Sequence, residues 1–203
     1  GWRLSEKLNS ERPNDHRAAY NRSWYLLKQG QIGEGYKQMD RGRYCGIIGE
    51  RRPDTPAPEW DGKTKGTILL YCDHGLGDQI HQVRYVRDLV SRGNKVVVCC
   101  SGALVGLFNQ IEGVSAVVQM GAEYGVYHDF WCFAMVAPFY LGYESSDLRG
   151  DAYIDRPATI KGPKKRIGLR WQGNSKFEDD HNKKFPYLLL FEALQGVDAE
   201  FIS

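Results

Sequence analysis

The chain has 203 residues, of which 42% are hydrophobic and 26% are charged, and its formal net charge is +2 at pH 7. These fractions are ordinary for a globular protein, and so small a net charge argues against nucleic-acid binding by bulk charge. No apolar run approaches the roughly 20 residues needed to cross a bilayer, so no transmembrane segment is predicted. The five cysteines form no C-x-x-C pair. That favours reduced thiols and a cytoplasmic location over disulfides or a metal site.

Residues 1–50 have the pattern of a helical hairpin. Asn14 or Asp15 is a candidate N-cap for a first helix, Gly30 ends that helix, and a second helix is expected from about residue 33 to Tyr44. The pair has the size of one tetratricopeptide unit, which cannot bury its own apolar face alone. The hairpin is therefore expected to pack on another surface, and it is a candidate docking site for a partner.

The rest of the chain is organised around an apolar run that leads into a glycine-containing turn. Residues 67–72 are predicted to form a strand buried on both faces, and Gly75-Leu76-Gly77-Asp78 forms the turn. Apolar residues recur at helical spacing over residues 79–91, and Lys95–Cys100 is predicted to be a second buried strand. This is a βαβ unit. Ligands of open parallel sheets bind at the carboxyl ends of the strands, so the loop after the first strand is the first candidate for a functional site.

The remaining segments continue the alternation of strands and helices, which predicts an α/β fold. Residues 51–65 are predicted to be a linker that Trp60 anchors, residues 66–150 a Rossmann-like parallel sheet domain, and residues 151–203 the start of a second, truncated Rossmann-like domain. The chain is thus expected to be part of a longer two-domain protein. The further predicted elements are a short helix over 103–110, strands over 116–120 and 128–133, a helix over 134–141 broken by Pro138, a strand over 166–171, a helix over 186–195 and a strand over 199–203. The polar segment 142–165 is interpreted as a domain crossing, so the strand over 166–171 should not join the first sheet.

The Gly-x-Gly-Asp turn differs from a dinucleotide-binding fingerprint in two ways. Ile80 occupies the position of the third glycine, and Asp78 places a negative charge where a pyrophosphate would lie. NAD binding is therefore not expected. Two interpretations of Asp78 stay open: it is a helix N-cap and nothing more, or it is a carboxylate aimed into a cleft, where it takes a proton from a hydroxyl as a general base.

A second polar loop follows the strand predicted over residues 166–171. Trp171 precedes Gly173 and Asn174, and Lys183 and Lys184 come just before the next helix. Such a loop, with its glycine and its cations, suits a phosphate group. The alternative is a solvated loop with ordinary surface lysines.

These two motifs together resemble glycosyltransferase family 9, the heptosyltransferase-like enzymes, of the type with an upstream tetratricopeptide-like segment. The resemblance rests on Gly75-Leu76-Gly77-Asp78 with Arg84-Tyr85, and on Trp171-Gln172-Gly173-Asn174 with Lys183-Lys184-Phe185-Pro186. It implies a GT-B architecture, in which the first Rossmann-like domain binds the acceptor and the second binds a nucleotide-diphosphate sugar. It also implies inverting sugar transfer without a metal or a cofactor. The acceptor is expected to be a glycan, a lipid-linked molecule or a protein.

The resemblance also suggests a role for each motif residue. Asp78 matches the catalytic base. The acceptor-side loop would comprise His74, Gly75, Leu76, Gly77 and Arg84, and the diphosphate-binding residues would be Trp171, Gly173, Asn174, Lys183 and Lys184. Asp73-His74 stands where many relatives have Glu-Gln, which leaves the acceptor open.

Two rival functions are compatible with the same residues. In the first, the chain is a non-catalytic, GT-B-like binding module in which Asp78 only caps a helix. In the second, it belongs to a sugar-nucleotide epimerase, which shares the two-domain design. Because neither domain holds the complete site, the 203 residues alone are expected to be inactive.

Overall fold

The computed structural model describes residues 2–154, 162–171 and 185–202. The chain divides into two compact units, Gly1–Asp155 and Arg156–Ser203, and each is described by itself. No helix among the described residues is long and apolar enough to span a membrane.

The first unit begins with three α-helices, one more than the sequence pattern predicts. They are α1 (Trp2–Glu11), α2 (His16–Lys28) and α3 (Ile32–Asp40). Of the two candidate caps for α2, Asp15 is the N-cap, since its carboxylate accepts hydrogen bonds of 3.0 Å from the backbone N–H groups of Arg17 and Ala18. The helix predicted to reach Tyr44 ends earlier, and a 3-10 helix, Arg41–Cys45, continues the chain.

The core of this unit is a four-stranded parallel sheet, so the predicted α/β class is confirmed and a Rossmann-like arrangement is compatible with it. The strand order is β3-β2-β1-β4. The strands are β1 (Thr67–Tyr71), β2 (Lys95–Cys100), β3 (Val114–Gln119) and β4 (Phe130–Phe133). Alternate residues of the strands enter two apolar clusters: Ile68 and Leu70 belong to the larger one, while Leu69 and Trp131 belong to the smaller.

The helices around this sheet are shorter than predicted. They are α4 (Leu76–Gln82), α5 (Val86–Ser91), α6 (Val105–Phe108) and α7 (Ala137–Leu141). The single helix predicted over residues 79–91 is wrong in detail, because a 3-10 turn, Val83–Tyr85, separates α4 from α5. Pro138 does not break its helix but lies in the first turn of α7. In a first turn the backbone N–H groups have no partner within the helix, so a proline there costs no hydrogen bond. Trp60, the predicted anchor of the linker, is buried, and its backbone N–H donates to the Trp131 carbonyl at 2.8 Å.

Residues 2–45, the helical segment, pack directly on α7. The Gly33 N–H donates to the Tyr143 carbonyl at 2.9 Å, and the Ser145 N–H donates to the Gly30 carbonyl at 3.1 Å. A Cβ atom at Gly33 would lie 3.2 Å from the backbone of Phe139, Pro138 and Tyr143. The absence of a side chain at Gly33 therefore lets α3 approach the backbone around α7.

In the second unit, the described elements form a small parallel pair with one helix. They are β5 (Lys165–Gly168), α8 (Tyr187–Ala193) and β6 (Ala199–Ile202). β5 pairs with β6 and not with the four-stranded sheet, which confirms the prediction for this strand. It is shorter than the predicted span of 166–171, and α8 begins after Pro186.

Replacement of Gly33 by alanine tests the packing of α3. The new methyl group has to displace backbone, so we expect Gly33→Ala to lower the free energy of unfolding by about 1–3 kcal/mol, as overpacked sites do. Gly106→Ala is the matched control, since Gly106 lies in α6 with nothing within 4 Å of a Cβ. Alanine there should stabilise by roughly 0.5–1 kcal/mol. Urea unfolding measures both, and equal stability of the two variants would contradict this packing.

Candidate functional site

The loop predicted to hold the functional site, residues 72–78, lies at the carboxyl end of β1. At this strand the order in which strands are added to the sheet changes direction. β2 and β3 extend the sheet on one side of β1, and β4 lies on the other side. Crevices that bind ligands in open α/β sheets form at such reversal points, outside the carboxyl ends of the strands. Residues 72–78 follow β1 at this point, and Met135 follows β4. The sheet topology thus singles out the same place as the motif.

Asp78 is exposed and lies in the first turn of α4. Its Oδ2 accepts a hydrogen bond of 3.1 Å from the backbone N–H of Gly75, which is itself the N-cap residue. Asp78 therefore contributes to capping from the third helical position and is not the N-cap residue. A Cβ at Gly75 would lie 3.1 Å from the same Oδ2, so glycine lets the carboxylate close over the turn.

Asp78 faces a groove of about 330 Å³ between the helical segment and the end of the sheet. Pockets of roughly 300–1,000 Å³ are typical of small-molecule sites. One wall is aromatic: the Trp24 side chain is 54% exposed and meets Tyr20 edge-on, with 6.2 Å between ring centroids. The groove is lined by Tyr20, Trp24, Leu27, Tyr36, Met39, Ile48, His74, Asp78, His81, Gln82, Tyr85 and Met135.

A buried arginine links the helical segment to the loop. Arg43, whose side chain is fully buried, donates from Nη1 to Asp73 Oδ2 at 2.5 Å and from Nε to Asp40 Oδ1 at 2.6 Å. Nη1 also donates to the Glu50 carbonyl at 3.1 Å, and the guanidinium lies 3.5 Å from the centre of the Phe133 ring. Asp40 ends α3 and Asp73 follows β1, so one guanidinium holds both elements together.

His74 completes this network toward the groove. Its Nδ1 lies 2.8 Å from Asp73 Oδ1. The backbone φ of His74 is positive, at 72°, and no other non-glycine among the described residues has a positive φ. Burial opposes ionisation of Asp73, but the hydrogen bonds from His74 and Arg43 outweigh it and lower the pKa of this carboxyl. The same hydrogen bond, which Asp73 accepts, raises the pKa of His74 above its usual 6.5.

The charge of Asp78 acts on several groups of the groove. Burial lowers the pKa of His81, although Asp78 works in the opposite direction. Burial raises the pKa of Tyr36, and the negative charge of Asp78 adds to that rise. The groove therefore combines one exposed carboxylate, two imidazoles and three phenols, all of which are able to form hydrogen bonds with a hydroxyl compound.

The other residues predicted for the acceptor side are not all brought into the groove. Leu76 is exposed at the start of α4, and a Cβ at Gly77 would meet nothing within 4 Å, so this turn is open to an approaching ligand. Arg84 does not line the groove. Its guanidinium lies 4.9 Å from the centre of the Tyr153 ring and borders a separate small pocket with Arg87.

Most of the predicted donor side falls outside the described residues. Gly173, Asn174, Lys183 and Lys184 belong to that part of the chain. Trp171 is described: it is half-buried, and its carbonyl accepts a hydrogen bond of 3.1 Å from the Phe185 N–H.

In the described part of the chain, no group of three or more His, Cys, Asp or Glu side chains is arranged to hold a metal ion. The cysteines are free thiols, and all but Cys45 are buried. Burial raises the pKa of the Cys100 thiol to about 11, which makes it a poor nucleophile near neutral pH.

Comparisons with protein-family models, curated proteins and solved structures found no match to this chain. Sequence reasoning missed Arg43 and Asp73, which are 30 residues apart. The only local signal was that Asp73-His74 replaces an expected Glu-Gln, and nothing in the sequence pairs this dipeptide with Arg43.

Removal of the Arg43 side chain tests the network. Arg43→Ala leaves two carboxylates without their buried partner, so we expect the free energy of unfolding to fall by about 3–5 kcal/mol. Arg149→Ala is the control, because Arg149 pairs with Asp88 at 2.6 Å while its side chain is 56% exposed. Because solvent screens that pair, Arg149→Ala should lower the free energy of unfolding far less than Arg43→Ala does. Urea unfolding measures both variants. A similar decrease in the free energy of unfolding in the two would show that the buried interactions of Arg43 stabilise the protein no more than an exposed ion pair does.

Proposed function

We propose that this chain is the acceptor-binding part of a sugar transferase that moves a sugar from a nucleotide-diphosphate sugar to an acceptor hydroxyl, without a metal and with inversion. The observation that carries the proposal is the exposed carboxylate of Asp78 at the carboxyl end of β1, inside an aromatic-walled groove. In this proposal Asp78 is the general base.

The composition of the groove favours an acceptor that carries hydroxyl groups on a ring. The face of an aromatic ring such as Trp24 packs against the C–H face of a sugar, while carboxylate and imidazole groups bind its hydroxyls. Trp24 and Tyr36 come from the helical segment, and His74 and Asp78 come from the loop after β1. The helical segment would thus select the acceptor, while the loop would act on its reacting hydroxyl.

The proposed step is a direct displacement. Asp78 takes the proton of the acceptor hydroxyl as the oxygen attacks the anomeric carbon. The bond from that carbon to the diphosphate breaks, and the diphosphate leaves with the electron pair. By resemblance alone, Trp171, Gly173, Asn174, Lys183 and Lys184 would bind the diphosphate and stabilise its developing charge.

One observation favours a second candidate function. The hydrogen bond from Gly75 N–H to Asp78 gives this carboxylate a local structural role. A non-catalytic binding module would need nothing more of Asp78, and its groove would hold a ligand without reaction.

The Asp78→Asn variant of the full-length protein separates the two functions. The amide keeps an oxygen that accepts from Gly75 N–H but is not basic, so we expect intact folding and a turnover lower by about 10²–10⁴-fold. Turnover is measured as nucleoside diphosphate released from a panel of UDP-, GDP- and ADP-sugars in the presence of candidate sugar acceptors.

The matched control is Asp147→Asn. Asp147 Oδ2 accepts from the Glu144 N–H at 2.8 Å in the same capping arrangement, but Asp147 does not line the groove. Its replacement should leave turnover unchanged. If Asp78→Asn also turns over like the wild type, Asp78 is a capping residue and the proposed mechanism is wrong.

The donor side is tested by binding. We expect the full-length protein to bind UDP, GDP or ADP in the presence of EDTA, and Lys183→Ala to weaken that binding more than tenfold, or about 1.4 kcal/mol. Calorimetric titration gives both affinities. Equal affinity in the variant, or no binding by the wild type, would rule out the donor assignment.

A further inference from the structure

The groove contains a second group that is able to accept a proton. We propose that His74, held by the buried Asp73, takes over from Asp78 the proton that leaves the acceptor hydroxyl and delivers it to solvent. This inference rests on the proposed sugar transfer and adds a residue to it. It is carried by the hydrogen-bond geometry of Asp73 and by the backbone of His74.

Both oxygens of Asp73 are engaged. Oδ2 accepts from Arg43, and Oδ1 lies 2.8 Å from His74 Nδ1. An ionised carboxylate only accepts hydrogen bonds, so Nδ1 must carry the hydrogen of a neutral imidazole. The lone pair is then on Nε2, which forms no hydrogen bond to any of the described residues. A carboxylate that fixes a histidine tautomer in this way also stabilises the imidazolium that forms on protonation.

The backbone of His74 is held in an unusual conformation. Its φ of 72° lies in the left-handed region, which a residue with a side chain adopts only when its surroundings enforce it. The buried side chain of Gln79 holds this conformation in place. Its Nε2 donates to the His74 carbonyl at 2.9 Å, and its Oε1 accepts from the Ser101 N–H at 2.8 Å. The imidazole is thus fixed beside Asp73 and lines the groove together with Asp78.

The charged groups around His74 come from four segments of the chain. Asp73 on its own loop and Asp78 on α4 favour the imidazolium, whereas Arg43 from the 3-10 helix after α3 opposes it. Asp40 at the end of α3 is coupled to the same network. The net effect raises the pKa of His74 above 6.5. His74 and Asp78 line the same groove, and Nε2 of His74 forms no hydrogen bond to a described residue, so this nitrogen is able to receive the proton that Asp78 takes up.

The transfer balances without any further reactant. The acceptor O–H bond breaks, its proton goes to Asp78, and the oxygen forms the new glycosidic bond. The donor carbon–oxygen bond breaks, and its electron pair leaves with the diphosphate. The proton then moves from Asp78 to His74 Nε2, the imidazolium pairs with Asp73, and release of that proton to water restores the starting state.

The experiment follows transfer against pH in the full-length protein, with the panel of nucleotide sugars and acceptors used for Asp78. For the wild type, kcat should rise through a pKa above 6.5, because His74 must be neutral to receive the proton that the transfer step leaves on Asp78. His74→Gln should lose this limb and at least tenfold in rate. His128→Gln is the control, since His128 precedes β4 at the amino ends of the strands and does not line the groove, so this variant should leave both unchanged.

A second measurement needs no substrate and no variant. Nitrogen-15 NMR of the histidine side chains should show His74 protonated at Nδ1 at high pH and titrating above 6.5, whereas His81 should titrate below 6.5. A tautomer protonated at Nε2 would overturn the inference.

The outcomes separate this inference from the proposed function. An unchanged rate and pH profile in His74→Gln, with Asp78→Asn impaired, would overturn the role of His74 and leave sugar transfer intact. A wild type that releases no nucleoside diphosphate from any donor would overturn both. Impaired His74→Gln with normal Asp78→Asn would overturn the transfer from Asp78 to His74.

Discussion

The buried guanidinium of Arg43 is the constraint on which the site depends. It pairs with Asp40 at the end of α3 and with Asp73 after β1, so the helical segment and the loop cannot move apart without separating buried charges. Gly49 shows how closely this region is packed: its φ is +32°, and a Cβ there would contact Arg43 Nη1 and lie 2.9 Å from Asp73 Oδ2. A residue outside the sheet therefore determines the geometry at the carboxyl end of β1.

This coupling explains how a small parallel sheet acquires a groove. The sheet alone offers the reversal point between β1 and β4, with the His74–Asp78 turn above it. The helical segment adds the aromatic wall, including Trp24, and is held at its other end by the Gly33 N–H on the Tyr143 carbonyl. In the proposed function, a change in the helical segment would alter acceptor choice, and a change in the network would alter the proton-accepting groups.

The sequence predicted the local features well because they depend on neighbouring residues. The apolar run at β1 and the glycine turn follow from short-range patterns, and so do the two candidate caps of α2, Asn14 and Asp15, of which the structure uses Asp15. The turn brings Asp78 to the groove. The buried pair of Arg43 and Asp73 was not predictable, because no short-range rule pairs residues 30 positions apart. The break between α4 and α5 was also missed, since the apolar spacing continues through the 3-10 turn at Val83–Tyr85.

A double-mutant cycle on Arg43 and Asp73 tests most directly whether this pair holds the helical segment to the loop. Arg43→Ala, Asp73→Ala and the double variant are compared with the wild type by urea unfolding, and the interaction energy is the departure from additivity. If the pair holds the two elements together, the double variant is less destabilised than the sum of the single variants, with a coupling of about 1.5–3 kcal/mol, near the upper end for contacting residues. Additive losses would show that the two side chains contribute independently, and would contradict the claim that this pair holds the helical segment to the loop.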